Sequence, residues 1–479
     1  MTIQELERLV KEQSQTIALQ KAMIETLIGR ISELEHKKSS KNSSIPPSRD
    51  PHRKRQKSLR VKSDKKPGGQ KGHQGRTKKM VASPDRVIDH KPLYCQHCSN
   101  ILDEELDLIG RRQVIDIPPI KPIITEHRVY ASHCNCCGQK NESAYPQGVK
   151  GNVSYGPNIE ALAVYLNIRQ YMPYQRMAEY FNQILGIDIS QGTLVNLIRR
   201  AAEKAQPIYQ SIKERVSKAV WLGSDETGCK VNGQTHWYWT WQNEGLTYIT
   251  ASHTRGFATV EEQFPDGLKD SILVSDCLAA QLKQDCKAHQ ICIAHLYRDL
   301  NYLIEKDMEQ WSSQVKELLQ KACALKKEID FSKFAIYQDR ILEIEQDLQT
   351  LLDYPMEYSW VYQKQLQKRL IKYKSQMLTF LYHQQIPPDN NSSERAIRNV
   401  KVKQKISTQF KSVEMAQAFA ALRSVIDTCI KRDVQLMPAM LNSYEMIYVT
   451  IKSIMLIGHL FFCKAVSFDH YWFGNNLTI

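Results

Sequence analysis

The run Ala219-Val-Trp-Leu-Gly-Ser-Asp-Glu-Thr-Gly-Cys-Lys-Val-Asn-Gly-Gln-Thr-His-Trp-Tyr-Trp-Thr-Trp241 decides the fold. Ala219–Gly223 is a short apolar stretch, as expected of a buried strand, and it ends in Ser224-Asp225. Lys230-Val231 and Gln234–Trp241 flank Asn232-Gly233. A two-residue hairpin turn needs positive φ at both central positions, and Asn-Gly meets that need. Trp237, Trp239 and Trp241 alternate along the second strand and so share one face. Sheet cover is the plainer use of such a stripe; a base-stacking platform is the other.

Outward from this hairpin, Leu246–Ala251 reads as a third strand, and Ser271–Ser275 as a buried strand ending at Asp276. A short helical run follows, then an apolar strand at Gln290–Ile293. Three antiparallel strands followed by strand–helix–strand is the order of a ribonuclease-H-like core. Residues 300–385 are charged and helix-periodic, which predicts a helical insertion. Pro387-Pro388-Asp389-Asn390-Asn391 breaks that pattern, and a new helix is expected near Glu394. The core is thus expected in two parts, residues 215–299 and 386–440.

Upstream, residues 157–206 read as helical. Arg176–Leu185 has a helical apolar pattern, Gly186 can stop that helix, and Ser190 can cap the next. The unit reads helix, tight turn, helix, with Arg199 and Arg200 late in the second helix. Such a unit reads DNA in many proteins and is plain core in others, so residues 151–214 are expected to be a helical, helix-turn-helix-like DNA-binding region. Before it, Cys95-Gln-His-Cys98 and Cys134-Asn-Cys136-Cys137 lie about 35 residues apart. Two C-x2-C pairs can place four thiolates around one Zn²⁺, which predicts a zinc-ribbon-like domain over residues 85–150 with Cys95, Cys98, Cys134 and Cys137 as ligands. Cys136, His97 and His133 are alternatives, and Gln113–Ile117 and Ile123–Tyr130 can make strands between the pairs.

The chain opens on a heptad helix. Ile3, Val10, Ile17, Ile24 and Ile31 recur at one position, and Leu6, Gln13, Gln20, Leu27 and Leu34 at its complement. β-Branched residues at the first position and mostly Leu at the second favour a parallel two-stranded coiled coil over residues 1–36. The chain of 479 residues has 65 Lys+Arg and 51 Asp+Glu, a net charge of +14. Residues 37–79 alone carry 16 Lys+Arg against Asp50 and Asp64, so they hold the whole excess. Rich in Ser, Pro and Gly, residues 37–84 are expected to be a disordered basic linker. It serves either as a spacer or as a tether that gains affinity by releasing counterions from phosphates. Length and a hydrophobic fraction of 42% exclude a wholly disordered chain, and 12 sparse cysteines with no signal-like opening fit a reduced cytoplasmic protein.

Asp225, Asp276 and Glu394 are the acids that these elements can bring to one sheet edge. Phosphoryl transfer on DNA needs two divalent metals clamping the attacking and leaving oxygens, and carboxylates suit Mg²⁺, with Mn²⁺ as a substitute. Each acid has a structural alternative: Asp225 as a turn residue, Asp276 as a helix cap, and Glu394 as the capping-box partner of Asn391. Asp389 rivals Glu394 as the third ligand. Arg398 lies one turn from Glu394, and Lys401, Lys403 and Lys405 extend a basic surface, in a helix or a strand. Cys292-Ile-Ala-His295 lacks a partner pair and reads as core rather than a metal site.

The chain resembles the DDE-type transposases of the insertion-sequence 66 family. The resemblance is carried by Lys66-Pro-Gly-Gly-Gln-Lys-Gly-His73, the Cys95/Cys98 pair, Asp116-Ile-Pro-Pro119, Glu126-His-Arg128 and Tyr155-Gly-Pro157. It continues through Gln191-Gly-Thr-Leu-Val-Asn196, Asp225-Glu-Thr-Gly228, His295 with Arg298, Asp389-Asn-Asn391 with Glu394-Arg395, and Val400-Lys-Val-Lys-Gln-Lys-Ile-Ser407. The resemblance implies a multidomain α+β protein with catalytic acids Asp225, Asp276 and Glu394. It implies metal-dependent cleavage at element ends and attack of the freed 3′-hydroxyl on target DNA. DNA contacts are expected from Arg199, Arg200, Arg298, Arg395, Arg398, Lys401 and Lys403. Implied partners are transposon-end and target DNA, further copies of the chain in a homodimer or larger homo-oligomer, and small accessory proteins of the same element, at the bacterial nucleoid. A catalytically decayed protein that binds ends without cutting is the alternative. Residues 441–479 depart from the family's polar ending: Met446–Val466 is largely apolar, but Lys452, His459 and Lys464 make it a poor membrane span.

A chain beginning near residue 85 is expected to fold, to bind DNA more weakly and to show a shallower dependence on salt, because counterion release scales with the phosphates neutralised. A salt titration of binding for both chains checks this, and equal slopes would reduce residues 37–79 to a spacer.

Overall fold

A single helix, α1 (Ile3–Glu35), carries the heptad pattern, and Val10, Ile17, Ile24 and Leu27 on it are exposed. This computed structural model describes residues 3–35, 78–102, 106–146, 148–149, 151–305, 310–356 and 361–436. The basic segment as far as residue 77 and the apolar ending from residue 437 lie outside the described residues. Among the described residues, no helix is long and apolar enough to cross a membrane.

The cysteine region forms two small knuckles. Tyr94 bridges Ile101 around the first, and β1 (Ala131–His133) pairs with β2 (Lys140–Glu142) around the second. The strands expected at Gln113–Ile117 and Ile123–Tyr130 do not form. Gln113 instead clasps the backbone of Val81, accepting from its N–H and donating to its carbonyl, each at 2.8 Å.

The helical region is α2 (Pro157–Val164), a π-turn at Tyr165–Arg169, α3 (Tyr174–Leu185) and α4 (Gln191–Ser217). Gly186 ends α3 in the left-handed region at φ 65°, and the Ser190 hydroxyl accepts from Thr193 N–H at 3.1 Å to start α4. Both expectations hold. Leu194, Leu197, Ile198, Ala201, Ala205 and Ile208 bury one stripe of α4 in the same hydrophobic cluster as the sheet that follows.

That sheet has the strands β3 (Trp221–Val231), β4 (Gln234–Gln242), β5 (Thr247–Ser252), β6 (Leu268–Ser275) and β7 (Cys286–Ile291), in the order β5-β4-β3-β6-β7. The first three are antiparallel; β6 and β7 run parallel to β3. Asn232 and Gly233, at φ 46° and 77°, make the β3–β4 turn as read. Two short helices, α5 (Phe257–Gln263) and α6 (Ala279–Leu282), flank β6 in the chain. Alternation sorts the two faces of the central strands. Leu222 and Leu273 join the larger cluster with Trp239 and Trp241. Trp221, Ile272 and Val274 join a second cluster with α7 (Ile293–Ile304), α8 (Trp311–Glu328), α9 (Gln338–Leu352) and α10 (Val361–Lys372). The expected helical insertion thus has its own core, seated on the sheet.

The chain returns through α11 (Asn391–Ser407) and α12 (Val413–Lys431). α12 lies along the free edge of β5. Thr247 N–H donates to Thr428, Ile249 N–H to Ser424 and Ala251 N–H to Gln417, at 3.1, 2.8 and 3.3 Å. Three alternate edge donors are satisfied by one helix, so this edge offers no template for another strand.

α11 approaches β3 at Gly223. A Cβ there would lie 2.3 Å from Ser393 Oγ, 2.8 Å from Asn390 Oδ1 and 3.0 Å from Gln242 Nε2. Gly223→Ala is expected to destabilise the protein by about 1–3 kcal/mol, the usual cost of overpacking, and to displace the start of α11. Denaturant unfolding measures the first effect; an unchanged midpoint would show that the contact can relax.

Candidate active site

The parallel ladder between β3 and β6 pairs Trp221 with Ile272, Leu222 with Leu273 and Gly223 with Val274. Two residues further along each strand stand Asp225 and Asp276. They are neighbours because both strands carry the acid at the same distance past the last pair. Asp225 is not at a strand end as expected: β3 continues to Val231 along β4, so Asp225 is held by regular backbone. Its Oδ1 accepts the N–H of Glu226 at 2.9 Å.

The third acid arrives on α11. Asn390 N–H donates to Cys292 Sγ at 3.1 Å, Asn390 Nδ2 donates to the Ser224 carbonyl at 2.6 Å, and Ile293 N–H donates to the Pro388 carbonyl at 2.9 Å. These bonds fix the entry to α11 against β3 and the start of α7. Glu394 sits in the first turn. It forms no capping box with Asn391, since the helix is entered at Asn390. Asp389, the rival third acid, spends Oδ1 on the N–H of Asn391 at 3.0 Å and shapes the turn.

His295, on α7, links two of the acids. Its Nδ1 is 3.0 Å from Asp276 Oδ1 and its Nε2 is 3.7 Å from Glu394 Oε1. Arg298, one turn later, donates to Glu394 Oε1 at 3.2 Å. Burial pushes the Asp225 carboxyl well above the usual carboxylate range, and the nearby Asp276, Glu226 and Glu394 charges push it the same way. For His295 burial acts downward, but Asp276 and Cys292 outweigh it and raise the imidazole to about 10. His295 and Arg298 thus lie against Asp276 and Glu394, while the charges that act most on Asp225 are carboxylates. A divalent cation would offset the crowding of carboxylates that disfavours the Asp225 charge, so Asp225, Asp276 and Glu394 fit such an ion. Glu226 points to the other face of β3, where Arg255 and Gln281 bind it at 2.6 and 3.0 Å.

The expected basic residues divide. Arg395, Arg398 and Lys401 are exposed on α11, and Lys401 Nζ also donates to the Gly228 carbonyl at 2.5 Å. Arg199 and Arg200 are half-exposed and lie 3.7 and 3.8 Å from Glu414 and Glu160. Arg298 faces an acid of the site rather than solvent. Lys403 corrects the sequence reading. α11 continues as a helix through it, which turns Lys403 inward to 5% exposure, with Nζ 3.4 Å from the Asn167 carbonyl of the π-turn. It is not part of a DNA-facing surface. Sequence reasoning also set aside Cys292 and His295 as core, although their two-residue spacing was visible.

In the cysteine region, Ser99 after Cys98 and Gly138 after Cys137 both have positive φ, at 60° and 71°. Amide groups of Cys98 and His97 pull the Cys95 thiol down, and those of Cys137 and Cys136 do the same for Cys134. The two turns are equivalent, which pairs Cys134 with Cys137 rather than Cys136. Each knuckle has the shape that holds a zinc-bound thiolate, but among the described residues the four thiols do not meet within 4.8 Å.

Burial lowers the Lys403 amine to about 8. Between that value and the ordinary lysine range the unfolded chain binds more protons, so this group makes stability rise with pH across that window. Lys403→Met is expected to flatten the rise and to leave stability at pH 7 equal or higher. Unfolding midpoints from pH 7 to 10 check it; a steeper rise would mean that the buried amine is charged.

Residues 92–138, which include Cys95, Cys98, Cys134 and Cys137, match the zinc-finger binding domain of transposase IS66. Residues 1–79 match a family of unknown function (DUF6444). No curated protein matches the chain. Residues 152–418, more than half of the chain and all three acids of the site, match the transposase IS66 family, and the chain belongs to that family.

Proposed function

We propose that the chain is a DDE transposase that cuts DNA at the ends of its element and joins the freed 3′-hydroxyl to target DNA. The observation that carries this reading is the gathering of Asp225 on β3, Asp276 just past β6 and Glu394 on α11: the Asp276 and Glu394 charges both act on the Asp225 carboxyl, and His295 lies between Asp276 and Glu394. The strand order β5-β4-β3-β6-β7, with three antiparallel strands followed by two parallel ones, supports a ribonuclease-H-like core.

Asp225, Asp276 and Glu394 would hold magnesium, with manganese as a substitute. Bound there, the metal supplies Lewis-acid stabilisation to the attacking and leaving oxygens of a phosphodiester. The chain's own residues do the rest. β3 and β6 fix the spacing of the two aspartates, Asn390 fixes the start of α11, and Arg298 orients the Glu394 carboxylate. Arg395, Arg398 and Lys401 present exposed positive charge along α11 for phosphates flanking the cut, which positions DNA without reading its sequence. Arg199 and Arg200 add charge on α4, the second helix of the helix-turn-helix unit. Zinc held by Cys95, Cys98, Cys134 and Cys137 would lock the two knuckles together. The exposed heptad face of α1 supports pairing with a second copy, which would bring two active sites to the two ends of one element.

Asp225→Asn and Glu394→Gln are expected to lower magnesium-dependent cleavage of a plasmid carrying the element ends by about 100-fold or more, the scale of losing one electrostatic stabiliser. End binding in a gel-shift assay should persist. Binding without cleavage by the unaltered protein would identify an end-binding protein instead.

A further inference from the structure

Asp276, Cys292 and His295 form a second ligand set at the margin of the acid cluster. One ligand atom from each lies within 4.8 Å of the other two. Asp276 Oδ1 and His295 Nδ1 approach to 3.0 Å. They form a buried ion pair whose angles fall outside hydrogen-bond geometry, so neither atom makes a well-aligned bond. A zinc ion can take the place of the proton between them, bonding the imidazole nitrogen and the carboxylate together. An oxygen and a nitrogen on one tetrahedral zinc lie roughly 3.3 Å apart at ordinary bond lengths, so only a small opening is required.

The donors select the ion. Thiolate, imidazole and carboxylate together suit zinc, whereas magnesium takes oxygen ligands. Cys292 Sγ already accepts the Asn390 N–H at 3.1 Å, which holds the sulfur against the turn that carries Glu394. On the other side of the ring, His295 Nε2 faces Glu394 Oε1 at 3.7 Å. Metal-bound imidazoles commonly turn their second N–H toward a carboxylate in this way.

We propose that Asp276, Cys292 and His295 bind one zinc ion through Oδ1, Sγ and Nδ1, with Glu394 as the outer partner of the imidazole and the fourth position open. Zinc displaces the protons of the thiol and the imidazole on binding. It also draws the Asp276 carboxylate away from magnesium, so it inhibits magnesium-dependent cleavage. The inhibition rests on the catalytic reading above; the binding does not.

The test is metal content first. The full chain, given excess zinc and then dialysed, should retain one zinc per chain more than Cys292→Ser, which keeps an acceptor for the Asn390 N–H and nearly the same volume. His295→Gln should show the same loss and carries the comparison if the serine variant fails to fold. Any knuckle zinc is common to all three proteins and cancels. Equal zinc contents in folded proteins overturn the site. Cleavage is measured second, as the ratio of rates with and without zinc at fixed magnesium. The ratio should fall for the unaltered chain and stay near one for Cys292→Ser. An extra zinc that leaves the ratio unchanged overturns the overlap with the magnesium site. No cleavage by the unaltered chain counts against the catalytic reading, and the zinc contents still decide the site.

Discussion

The close seating of α11 on β3 at Gly223 is the contact on which the site depends. Asp225 and Asp276 are neighbours by strand register alone, but Glu394 is separated from Asp225 by 168 intervening residues of chain. It reaches the cluster only because the backbone at Gly223 admits the first turn of a helix where any side chain would collide with Ser393 and Asn390. The contact is then tied with polar bonds. Asn390 holds the Ser224 carbonyl, and Gln242 Nε2 donates to Ser392 and Ser393 at 2.7 and 3.1 Å. Gln242 is itself fixed from behind, since its Oε1 accepts from Lys431 Nζ at 2.6 Å. A line of bonds therefore runs from the end of α12 through β4 to the turn that carries Glu394.

Buried cations hold the far end of the same helices. Lys431 places its amine on Gln242, Asn243 and Leu246 oxygens at 2.6, 2.5 and 2.8 Å, which uses all three of its donors. Arg423 pairs with Asp427 at 2.6 Å and donates to the Ile168 carbonyl at 3.2 Å. Lys403 faces the Asn167 carbonyl beside it. A π-turn shifts its hydrogen bonds out of the ordinary helical register, and the carbonyls of Asn167 and Ile168 meet these two cations. Tyr171 then donates to Asn399 at 2.6 Å, so the π-turn is coupled to α11 as well. Burying a cation is costly unless its donors are used. For Lys431 and Arg423 they are used to join segments far apart in sequence, whereas Lys403 has only its 3.4 Å approach to Asn167 and its amine is lowered instead.

The elements with local signals were legible in the sequence. Asn232-Gly233 can make only a few tight turns, Gly186 stops a helix by its own backbone freedom, and the Ser190 hydroxyl reaches Thr193 without help from the rest of the chain. Asp276 and Glu394 stood at the edges of such elements, just past β6 and in the first turn of α11, whereas Asp225, read as a strand end, lies inside β3. What failed depended on distant partners. Gln113–Ile117 has strand composition but no neighbour to pair with, and its first side chain binds Val81 instead. Lys403 sits in a run of alternating lysines and valines, whose period suits a strand as well as a helix. Only packing on the π-turn decides that it faces inward. Cys292 and His295 were visible as a pair, but a pair has no chemistry until Asp276 and Glu394 close around it.

The same logic explains how one helix can serve three tasks. Along α11, Ala396, Ile397, Val400 and Lys403 are buried and anchor the helix to the sheet and the π-turn. Glu394 leaves the first turn toward the acids. Arg395, Arg398 and Lys401 remain exposed on the surface between these stripes. A helix repeats its faces every three to four residues, so rotation about its axis would move all three sets together. The anchoring at Gly223 and the buried stripe allow a single rotation. Once it is fixed, the carboxylate and the exposed cations stand in a set relation to each other. On the proposed reading, a phosphate held by these cations would be presented to the acids by the geometry of the helix, and binding and chemistry would need no separate means of alignment.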